Sequence, residues 1–600
     1  MKTGTLKKLL CIMLAILMAL SISACGAAPA ATSATPAAST EATTAAASAT
    51  TEATPVATPE ATPVAQVTEP VTLSVLSLPS NTSGLISNWW SAIVKQKCNV
   101  ELELQPAGDQ GEQKLQALMA SGELPDIVIF KTKKQVEDAV KAEMLLNLDD
   151  NIAKIPNVVK NASIAMQYYR DSASNGIGKS FAVPNAVGPG EVGEELNWGP
   201  FLRWDLYKTL GMPPIKTLED YLPLLKKMQD LEPKNKDGQK VYALQLWGDW
   251  DSTQMHQATQ PAVLSGIDAG DQFGGALPFL QVNLGTGETK SVLAPDSEYI
   301  RALKFYFQAN QMGLVDPDSL TQRFDAALAK VEQGRVLFGW WPWFVGGYNV
   351  PVNTDAEAFK GFRPVLTEDY KAFWSGENTV GSSWAYGIGA ATKNADAALK
   401  FMDFMYSTEA LMEMNNGPKG VTWDVNDKGE PFVTDAGWDI IENAKELPGG
   451  GKLDDGGSVI NSAGLSSAAI NPEFNQPLGY GFWSSSQGRN PTKLMKDWQD
   501  TTGFKSTTAM LKSKNSFTIT PLAMKLVPTI TDDIQTLTGQ IGDVVKTTSW
   551  LMVYAKSEAE FDKLYKEMVA KAEGLGIQKV IDWDTAAWKE AQTLSEKYSK

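Results

Sequence analysis

The stretch "VTLSVLSL", residues 71–78, begins the part of the chain whose pattern decides the fold. Two more β-rich runs follow it, "VELELQ" at 100–105 and "DIVIF" at 126–130. Helical periodicity separates and follows these runs near residues 85–97, 111–121 and 134–145. Strands that alternate with helices predict an α/β fold in which helices cover a parallel sheet.

Ligands of such sheets collect where the connecting loops leave the carboxyl ends of the strands. In this chain Ser80 and Asn81 follow the first run, and Lys131 and Thr132 follow the third. We therefore expect these four residues to lie at the edge of a ligand site.

The segment before the first strand has the features of a secretory signal followed by a spacer. Lys2, Lys7 and Lys8 precede an apolar run over residues 9–20. That run is shorter than the ~20 residues that a membrane-spanning helix needs, so residues 1–24 are interpreted as a signal peptide. Small residues before Cys25 resemble a bacterial lipobox, which predicts fatty acylation of Cys25, palmitate included; the alternative is an ordinary signal with a chance cysteine.

Residues 25–70 consist almost entirely of alanine, threonine, serine and proline with a few glutamates. Such a composition cannot bury enough apolar surface to offset chain entropy, so a disordered tether is expected. With a lipid at Cys25, the tether would hold a folded body at the outer face of the cell membrane.

Composition excludes several classes of function. The chain has a net charge of −16, which disfavours nucleic acid as a partner. Its only histidine, His256, excludes a histidine-rich metal site, and we interpret it as structural. No disulfide framework is possible because Cys98 is the only cysteine left after the signal and Cys25. About 530 residues beyond the tether exceed one hydrophobic core, so at least two lobes are expected.

Tryptophan is unusually frequent, with 18 residues, and several lie in loop-like sequence. In "RVLFGWWPWFVGG", residues 335–347, a predicted strand runs into a loop that carries Trp340, Trp341 and Trp343. Indole rings on a loop can stack on the apolar face of a sugar, or they can pack between layers of the fold. Other candidates in similar sequence are Trp247, Trp250, Trp384, Trp423 and Trp483.

Asp249 lies between Trp247 and Trp250 and could accept hydrogen bonds from ligand hydroxyl groups, or it could be a turn residue. Two helices have clear boundaries. One begins at the capping box of Thr217 and Asp220, and one over residues 557–576 begins at Ser557 and Glu560 and ends at a glycine.

Several segments, in order, resemble the extracellular solute-binding lipoproteins of ABC importers. They resemble the cluster with maltose-binding protein and the longer aldouronate and alginate oligosaccharide binders. The matching pieces are "SGELPDIVIF" and "AEMLLNLDDNI" (121–152), "GPFLRWDLYKTLGMPPIKTLEDYLPLLKKMQ" (199–229), "MGLVDPDS" (312–319), "VEQGRVLFGWWPW" (331–343) and "WAYGIGAATKNADAALKFMDFMYSTEALMEMNNGPKGVTW" (384–423).

The resemblance implies a type II periplasmic-binding-protein fold with two α/β lobes and a hinge. Residues 71–190 with about 384–485 would form the N-lobe, and about 191–383 with about 486–600 the C-lobe. The chain would cross between lobes near 186–199 and return near 375–384. Ligand would bind in the cleft, and the closed form would engage the permease.

Carried over by position, the family's ligand contacts match Ser80, Asn81, Lys131, Thr132, Trp341, Trp343, Trp384 and Trp423. Some long members have a calcium loop after the helix that ends here near Asp230. This sequence keeps only Glu232, Asn235 and Asp237 and lacks EF-hand spacing, so no cofactor is expected.

The sequence therefore favours a monomeric, lipid-anchored, non-enzymatic protein that captures an oligosaccharide for an ABC permease. A peptide binder of an importer is the first alternative, because it would share the fold and differ only in the cleft. A secreted glycoside hydrolase is the second, since 69 acidic residues could supply a catalytic carboxylate pair.

Overall fold

The computed structural model describes residues 69–599 except 81, 106, 108–110, 191–192, 194, 271–275, 377 and 487–490. The predicted signal peptide, Cys25 and nearly all of the tether lie outside the described residues, as does Asn81. No helix in the described ranges combines the length and the apolar composition needed to span a bilayer.

The strands are β1 (Val71–Ser77), β2 (Gly84–Leu85), β3 (Val100–Gln105), β4 (Ile127–Phe130), β5 (Ala182–Pro184), β6 (Phe201–Arg203), β7 (Ile267–Asp268), β8 (Leu280–Asn283), β9 (Thr289–Ser291), β10 (Phe338–Gly339), β11 (Phe362–Pro364), β12 (Ala372–Ser375), β13 (Ala385–Ile388), β14 (Trp423–Val425), β15 (Pro431–Val433), β16 (Ile470–Asn471), β17 (Gln476–Pro477) and β18 (Phe517–Thr520).

The α-helices are α1 (Trp89–Cys98), α2 (Gly111–Ser121), α3 (Lys133–Lys141), α4 (Pro156–Asn161), α5 (Ser163–Ser172), α6 (Trp204–Thr209), α7 (Tyr221–Leu231), α8 (His256–Thr259), α9 (Glu298–Gln311), α10 (Phe324–Glu332), α11 (Pro342–Gly346), α12 (Pro351–Thr354), α13 (Ala395–Met405), α14 (Thr408–Asn416), α15 (Asp435–Asn443), α16 (Asp455–Ser458), α17 (Lys493–Thr502), α18 (Thr507–Ser513), α19 (Asp532–Val553), α20 (Glu558–Leu575) and α21 (Ile577–Tyr598).

The predicted parallel strands form the centre of a six-stranded sheet with the order β2-β3-β1-β4-β13-β5. Strand β1 pairs in parallel with β3, Val71 opposite Val100, and with β4, Val75 opposite Ile127. Strand β13 returns from far along the chain and pairs antiparallel with both β4 and β5. This late strand joins two distant chain segments in one sheet.

Alternate side chains of this sheet enter two different cores, as the two-residue period of a strand requires. Leu73 and Val75 of β1 face core A, which also contains residues of α1, α13 and α14 and of the segment 459–483. Leu76 of β1 faces core B on the opposite side, together with residues of α2, α3 and α5. The sheet therefore has two covered faces with different helices on each.

A third core, core C, belongs to the middle and the end of the chain. It draws on residues 196–372 and 494–580 and includes the antiparallel sheet β10-β6-β11. Core B also receives residues 277–284, 523–526 and 587–598, so the C-terminal helix α21 reaches from the elements around core C to the N-terminal sheet.

The chain crosses between these regions at two paired segments. Gly188 and Asn378 exchange backbone hydrogen bonds of 3.2 and 2.8 Å, which places the outgoing and returning strands side by side. Both residues lie within the crossing segments expected from the sequence. Paired crossing strands of this kind are what a hinge between two lobes requires.

Most of the predicted helices and strands are confirmed within a few residues. The capping box at Thr217 and the N-cap at Ser557 are confirmed as well. One prediction is wrong. Residues 342–346, expected to be loop, form the short helix α11, with Pro342 in its first turn. Proline suits that position because its φ angle is already helical and its missing N–H group would have no intrahelical acceptor there.

Candidate functional site

Two cavities have lining residues in the segment Gly381–Trp384, which leads into β13. The larger has a volume of about 890 Å³ and is lined by Gly381, Ser382 and Ser383, among others. The smaller, of about 440 Å³, is lined by Ser382 and Trp384. Ser382 lines both cavities, whereas Ser383 lines the larger and Trp384 the smaller.

We call the smaller one the Trp384 cavity. Its wall carries only uncharged side chains, and most are amides, hydroxyls or small apolar groups. Apart from Ser382 and Trp384, these residues directly follow β5 or belong to α14 and to the segment 457–467, on the core A side of the sheet. Its described lining residues are Asn185, Ala186, Ser382, Trp384, Met414, Asn415, Gly457, Asn461, Ser462, Ala463, Leu465, Ser466 and Ser467.

Hydrogen bonds fix the polar groups at the base of this cavity. Asn185 is 3% exposed, and its amide nitrogen donates to the Ser462 hydroxyl at 2.6 Å. The Ser382 hydroxyl donates to the Asn185 carbonyl oxygen and accepts from the Trp384 backbone N–H at 3.0 Å. A network in which every polar group is hydrogen-bonded is rigid, so the hydrogen bond from the Trp384 backbone N–H fixes the position of this residue.

Two asparagines offer further polar groups. The side-chain nitrogen of Asn415 is buried and has no hydrogen-bond partner among the described residues. Asn461 is exposed, has a φ angle of 48°, and donates from its side chain to the Pro79 carbonyl at 2.8 Å. A buried amide without a partner is costly unless a ligand or water satisfies it, so Asn415 is a candidate donor to a ligand.

The residues predicted to contact ligand at the strand ends differ in their exposure and in their contacts. Ser80 is 3% exposed, and its hydroxyl donates to the Val459 carbonyl at 2.7 Å, which ties the loop after β1 to the wall segment of the Trp384 cavity. Lys131 is exposed beyond β4. Thr132 caps α3 and lines the larger cavity. Ligand contact by Lys131 and Thr132 stays a prediction, while Ser80 serves the scaffold here.

The tryptophans from the middle of the chain form one aromatic cluster. Trp247 is 1% exposed and packs against Trp250, Trp341 and Phe344, so in this structure it is a core residue and not a ligand platform. Asp249 accepts a hydrogen bond from the Phe324 backbone at 3.1 Å at the start of α10, as a turn or capping residue does. Ligand contact by Trp247 and Asp249 stays a prediction, and in this structure both are engaged in protein contacts.

The outer part of the same cluster is more accessible. Trp343 is 47% exposed and stacks on Trp341, which is 8% exposed, with ring centroids 5.2 Å apart. Trp250 is half-buried and stacks on Phe324 at 4.5 Å. Ligand stacking on Trp250, Trp341 or Trp343 stays a prediction, and Trp343 presents the largest free ring area of the three.

His256 also packs in this cluster, as its structural interpretation requires. Its ring stacks on Trp341 with centroids 5.9 Å apart. Burial lowers the pKa of His256 to about 4, because desolvation disfavours the charged imidazolium. The side chain is therefore neutral at physiological pH.

Trp423 and Trp483 are core residues in this structure, and their contact with a ligand stays a prediction. They are 3% and 0% exposed, and their rings lie 5.9 Å apart in core A. Each indole N–H donates to a nearby carbonyl, Trp423 to Gly417 at 2.8 Å and Trp483 to Pro477 at 2.7 Å. Sequence context could not separate them from Trp384, because all three lie next to glycine, serine or threonine.

The residues of the fragmentary calcium-like segment are engaged in protein contacts. Glu232 pairs with Arg203 at 2.9 Å, and the Asn235 side-chain oxygen accepts from the backbone of Asp237 and Gln239 at 3.1 and 2.8 Å. These contacts close a tight Asx turn. Within the described ranges, no group of three or more His, Cys, Asp and Glu side chains is placed to hold a metal ion.

The wall residues of the Trp384 cavity were largely missed from sequence. Asn185, Asn415 and Ser462 come from three distant segments that only the folded sheet brings together. A weak signal existed in "VINSAGLSSAAIN", residues 459–471, which is rich in small and polar residues without helical periodicity.

Comparison with known proteins identifies the family. The model of bacterial extracellular solute-binding proteins matches residues 83–412, more than half of the 600-residue chain. The chain therefore belongs to the family of bacterial extracellular solute-binding proteins. The comparison with curated protein sequences found no match.

Solved structures share the fold at low sequence identity. The HMO binding ABC-transporter associated solute binding protein from Bifidobacterium longum infantis has 17% identity and a TM-score of 0.50, covering 86% of this chain and 98% of its own. FusA of Streptococcus pneumoniae, an EF-hand mutant in complex with fructo-nystose, has 15% identity and a TM-score of 0.57, covering 88% and 100%. The N-glycan transport protein NgtS of Streptococcus pneumoniae has 15% identity and a TM-score of 0.51, covering 87% and 99%.

These findings confirm the predicted family and the two-lobe α/β fold. They also confirm that the protein is a binding protein and not an enzyme. The glycoside hydrolase alternative has no support in them.

Proposed function

We propose that this protein captures an oligosaccharide between its two lobes and delivers it unaltered to the permease of an ABC importer. The observation that carries the proposal is the Trp384 cavity, in which an indole ring lies among uncharged amide and hydroxyl groups. Such a set suits a sugar unit, because amides and hydroxyls match ring hydroxyls and an indole face matches the apolar side of the ring.

The location of the cavity supports the same conclusion. It lies beside the paired crossing segments and at the carboxyl end of β5, where ligands of open α/β sheets bind. We infer lobes with the bounds expected from the sequence, 71–190 with 384–485 and 191–383 with 486–600. A ligand held here would contact the N-lobe first and the C-lobe on closure, shifting the open-closed balance by its preference for the closed form.

The solved structures that share the fold add a second line of support. The FusA structure contains fructo-nystose, and the names of two others refer to HMO and to N-glycan transport. Each is a carbohydrate with several sugar units. The Trp384 cavity, of about 440 Å³, shares the lining residue Ser382 with the cavity of about 890 Å³, so a ligand of several sugar units bound at Trp384 would extend toward the larger space.

Attachment to the membrane is part of the proposal. A signal peptide over residues 1–24, lipidation with palmitate or related chains at Cys25 and a flexible tether to residue 70 would keep a monomeric body at the outer face of the cell membrane. Expression of Cys25→Ala should release the protein into the culture medium. Lipid anchoring would be overturned if the wild-type protein were found in the culture medium and mass spectrometry showed no acyl group on it.

Ligand binding is tested with a panel of neutral oligosaccharides and a panel of peptides, measured by isothermal titration calorimetry. We expect binding of at least one oligosaccharide and loss of at least about 10-fold in affinity for Trp384→Ala, because stacking and burial against an indole are removed. Trp423→Phe serves as the control, since its ring lies in core A. If peptides bound and no oligosaccharide did, the ligand would be a peptide and the oligosaccharide proposal would be wrong.

A further inference from the structure

The larger cavity, of about 890 Å³, lies between the two lobes as they are bounded above, and we call it the inter-lobe cavity. One wall comes from α2, α3 and α5 in the N-lobe, and the other from the segments 252–253, 276–278 and 524–539 in the C-lobe. The crossing residues 381–383 line it as well. A ligand of several sugar units bound at Trp384 would place its further units here, so these walls restrict what those units can be.

The charges of the inter-lobe cavity differ from those of the chain as a whole. Three lysines and two acidic residues line it, although the chain has a net charge of −16. Asp138 is already paired with Lys134 at 2.9 Å. Glu112 accepts hydrogen bonds from two glutamine side chains and forms no ion pair with a described residue. Against the single charge of Glu112, Lys133 and Lys525 leave the cavity with an excess of positive charge.

Lys525 is the cation of this cavity whose surroundings most need a counter-charge. It has no hydrogen bond or ion pair with a described residue. Desolvation lowers the pKa of Lys525 although the side chain remains accessible to solvent, which is the condition of an ammonium group inside a narrow cleft. An anionic group of a ligand would supply the missing charge, and in such a cleft the two would attract each other more strongly than in bulk water.

The fold holds the backbone of Lys525 in a fixed position at the base of the cleft. It is the last residue of the 3₁₀ turn Leu522–Lys525, whose members Ala523 and Met524 are buried in core B together with the following Leu526. Backbone N–H groups of Met524 and Leu526 each donate a hydrogen bond of 3.0 Å within this segment. A charged group on a rigid support gives specificity, because binding adds little ordering cost.

Lys133 provides a second cation from the wall formed by the N-lobe. It is the first residue of α3, and its ammonium group donates to the Tyr168 hydroxyl at 3.3 Å and lies 5.4 Å from the centre of the Tyr168 ring. These neutral contacts leave its charge without a counter-ion among the described residues. Cations in both walls favour a ligand whose negative charge lies between them, and such a ligand also favours the closed form, in which the walls approach each other.

We propose that the captured oligosaccharide is acidic: a sugar unit in the inter-lobe cavity carries a carboxylate or sulfate group, and Lys525, assisted by Lys133, determines this specificity. The inference rests on the proposed function and deepens it, because the uncharged wall of the Trp384 cavity would hold a neutral unit of the same molecule. Carboxylate and sulfate share the feature that an ammonium group recognises, a negative charge on acceptor oxygens.

Pairs of ligands that differ in charge test this specificity by isothermal titration calorimetry on the full mature chain. The pairs are the methyl ester of trigalacturonate with trigalacturonate, cellotriose with cellotriuronate, and lactose with lactose 3′-sulfate. Any neutral oligosaccharide that binds in the panel above is added together with its own uronate, made by oxidation of its primary alcohols. We expect at least one acidic member to bind at least about 10-fold more tightly than its uncharged partner, as a charge-assisted hydrogen bond provides.

Variants of Lys525 separate recognition of charge from a general disturbance of the cleft. In Lys525→Met, the ratio of acidic to uncharged affinity within a pair should fall at least about 5-fold, whereas Lys525→Arg keeps the charge and should retain most of the ratio. The ratio is the readout because damage to the cleft weakens both members of a pair together. Lys566→Met removes an exposed lysine of α20 outside the cavity and should leave the ratio unchanged.

Equal affinities within every pair, or an unchanged ratio in Lys525→Met, would overturn the acidic specificity. Binding of the uncharged members alone would overturn it too, while the proposed function would stand. A preference for either the carboxylate or the sulfate member supports the inference and identifies the group that is bound. If no oligosaccharide of either kind bound, the proposed function itself would fail.

Discussion

The Arg203 guanidinium donates two hydrogen bonds to the Glu232 carboxylate, at 2.9 and 3.1 Å, although the arginine side chain is fully buried. The same guanidinium also donates to Asp205 at 2.7 and 2.9 Å. The hydrogen bonds to Glu232 thus link the end of β6 to the residue that follows α7. Glu232, a remnant of the calcium-like pattern, is paired with Arg203 and also with Lys360 at 2.9 Å.

Replacement of Arg203 should therefore be strongly destabilising. Arg203→Met leaves the partly buried Asp205 carboxylate without its cation and leaves Glu232 with Lys360 alone, and we expect a loss of about 3–5 kcal/mol in the free energy of unfolding. Denaturation by urea, followed by tryptophan fluorescence, measures it. The matched control is Lys226→Ala, which removes an exposed pair with Asp230 and should change little. An Arg203→Met loss below about 1 kcal/mol would contradict this role.

A second prediction concerns pH and Asp584, which is fully buried in α21. One carboxylate oxygen accepts from the Phe279 backbone at 3.1 Å, and the other has no partner among the described residues. Burial raises the pKa of Asp584 to about 7. Because the folded state holds this proton more tightly than the unfolded chain, its stabilising contribution is present below about pH 4 and is lost as pH rises through about 7.

Asp584→Asn should thus match the wild type near pH 4 and be more stable at pH 8, by on the order of 1–4 kcal/mol. The amide oxygen can still accept from Phe279. Urea unfolding at pH 4, 6 and 8 checks the trend, with Asp582→Asn, an exposed neighbour, as control. A stability difference that does not grow with pH would show that Asp584 is ionised in the folded protein.

A third prediction concerns the last turn of α21. Tyr598 is 3% exposed, stacks edge-on with Tyr168 at 5.4 Å, and donates to Asp171 at 2.6 Å. Tyr598→Ala should cost about 3–5 kcal/mol, and Tyr598→Phe about 1–2 kcal/mol because only the hydroxyl contact is lost. Equal losses for the two variants in urea unfolding would contradict a packing role for the ring.

The sequence predicted the sheet well because its strands give clear local patterns: β4 is buried along its whole length, and the side chains of β3 alternate between buried and more exposed. The β-rich runs 71–78, 100–105 and 126–130 are local features, and each strand was found where it was expected. Long-range pairing was not accessible in the same way. The place of β13 between β4 and β5 depends on contacts across more than 200 residues and was not predicted; the family resemblance implied only that about 384–485 belongs with 71–190.

The candidate site was predicted less well for a physical reason. Tryptophan beside glycine, serine or threonine is compatible both with an exposed platform and with a buried ring whose N–H caps a carbonyl. Trp384 and Trp483 illustrate the two outcomes, since only the first lines a cavity. Burial is decided by elements far apart in sequence, so no local pattern separates the two.

These two tryptophans give the last prediction, because their roles should separate in a single experiment. Trp483 is fully buried and donates to Pro477, so Trp483→Phe leaves a gap and a carbonyl without its donor. We expect a loss of about 1–3 kcal/mol in stability and an unchanged ligand affinity. Trp384 is half-buried at the cavity wall, so Trp384→Phe should change stability little and weaken ligand binding.

Urea unfolding and calorimetry with the same oligosaccharide on both variants complete the comparison. Trp483→Phe should lower the free energy of unfolding and leave ligand affinity unchanged, because its ring fills a core. Trp384→Phe should lower ligand affinity and change stability little, because its ring lines a cavity. If Trp483→Phe weakened ligand binding as much as Trp384→Phe did, Trp483 would take part in ligand binding. The assignment of Trp483 to the core and of Trp384 to the ligand site would then be wrong.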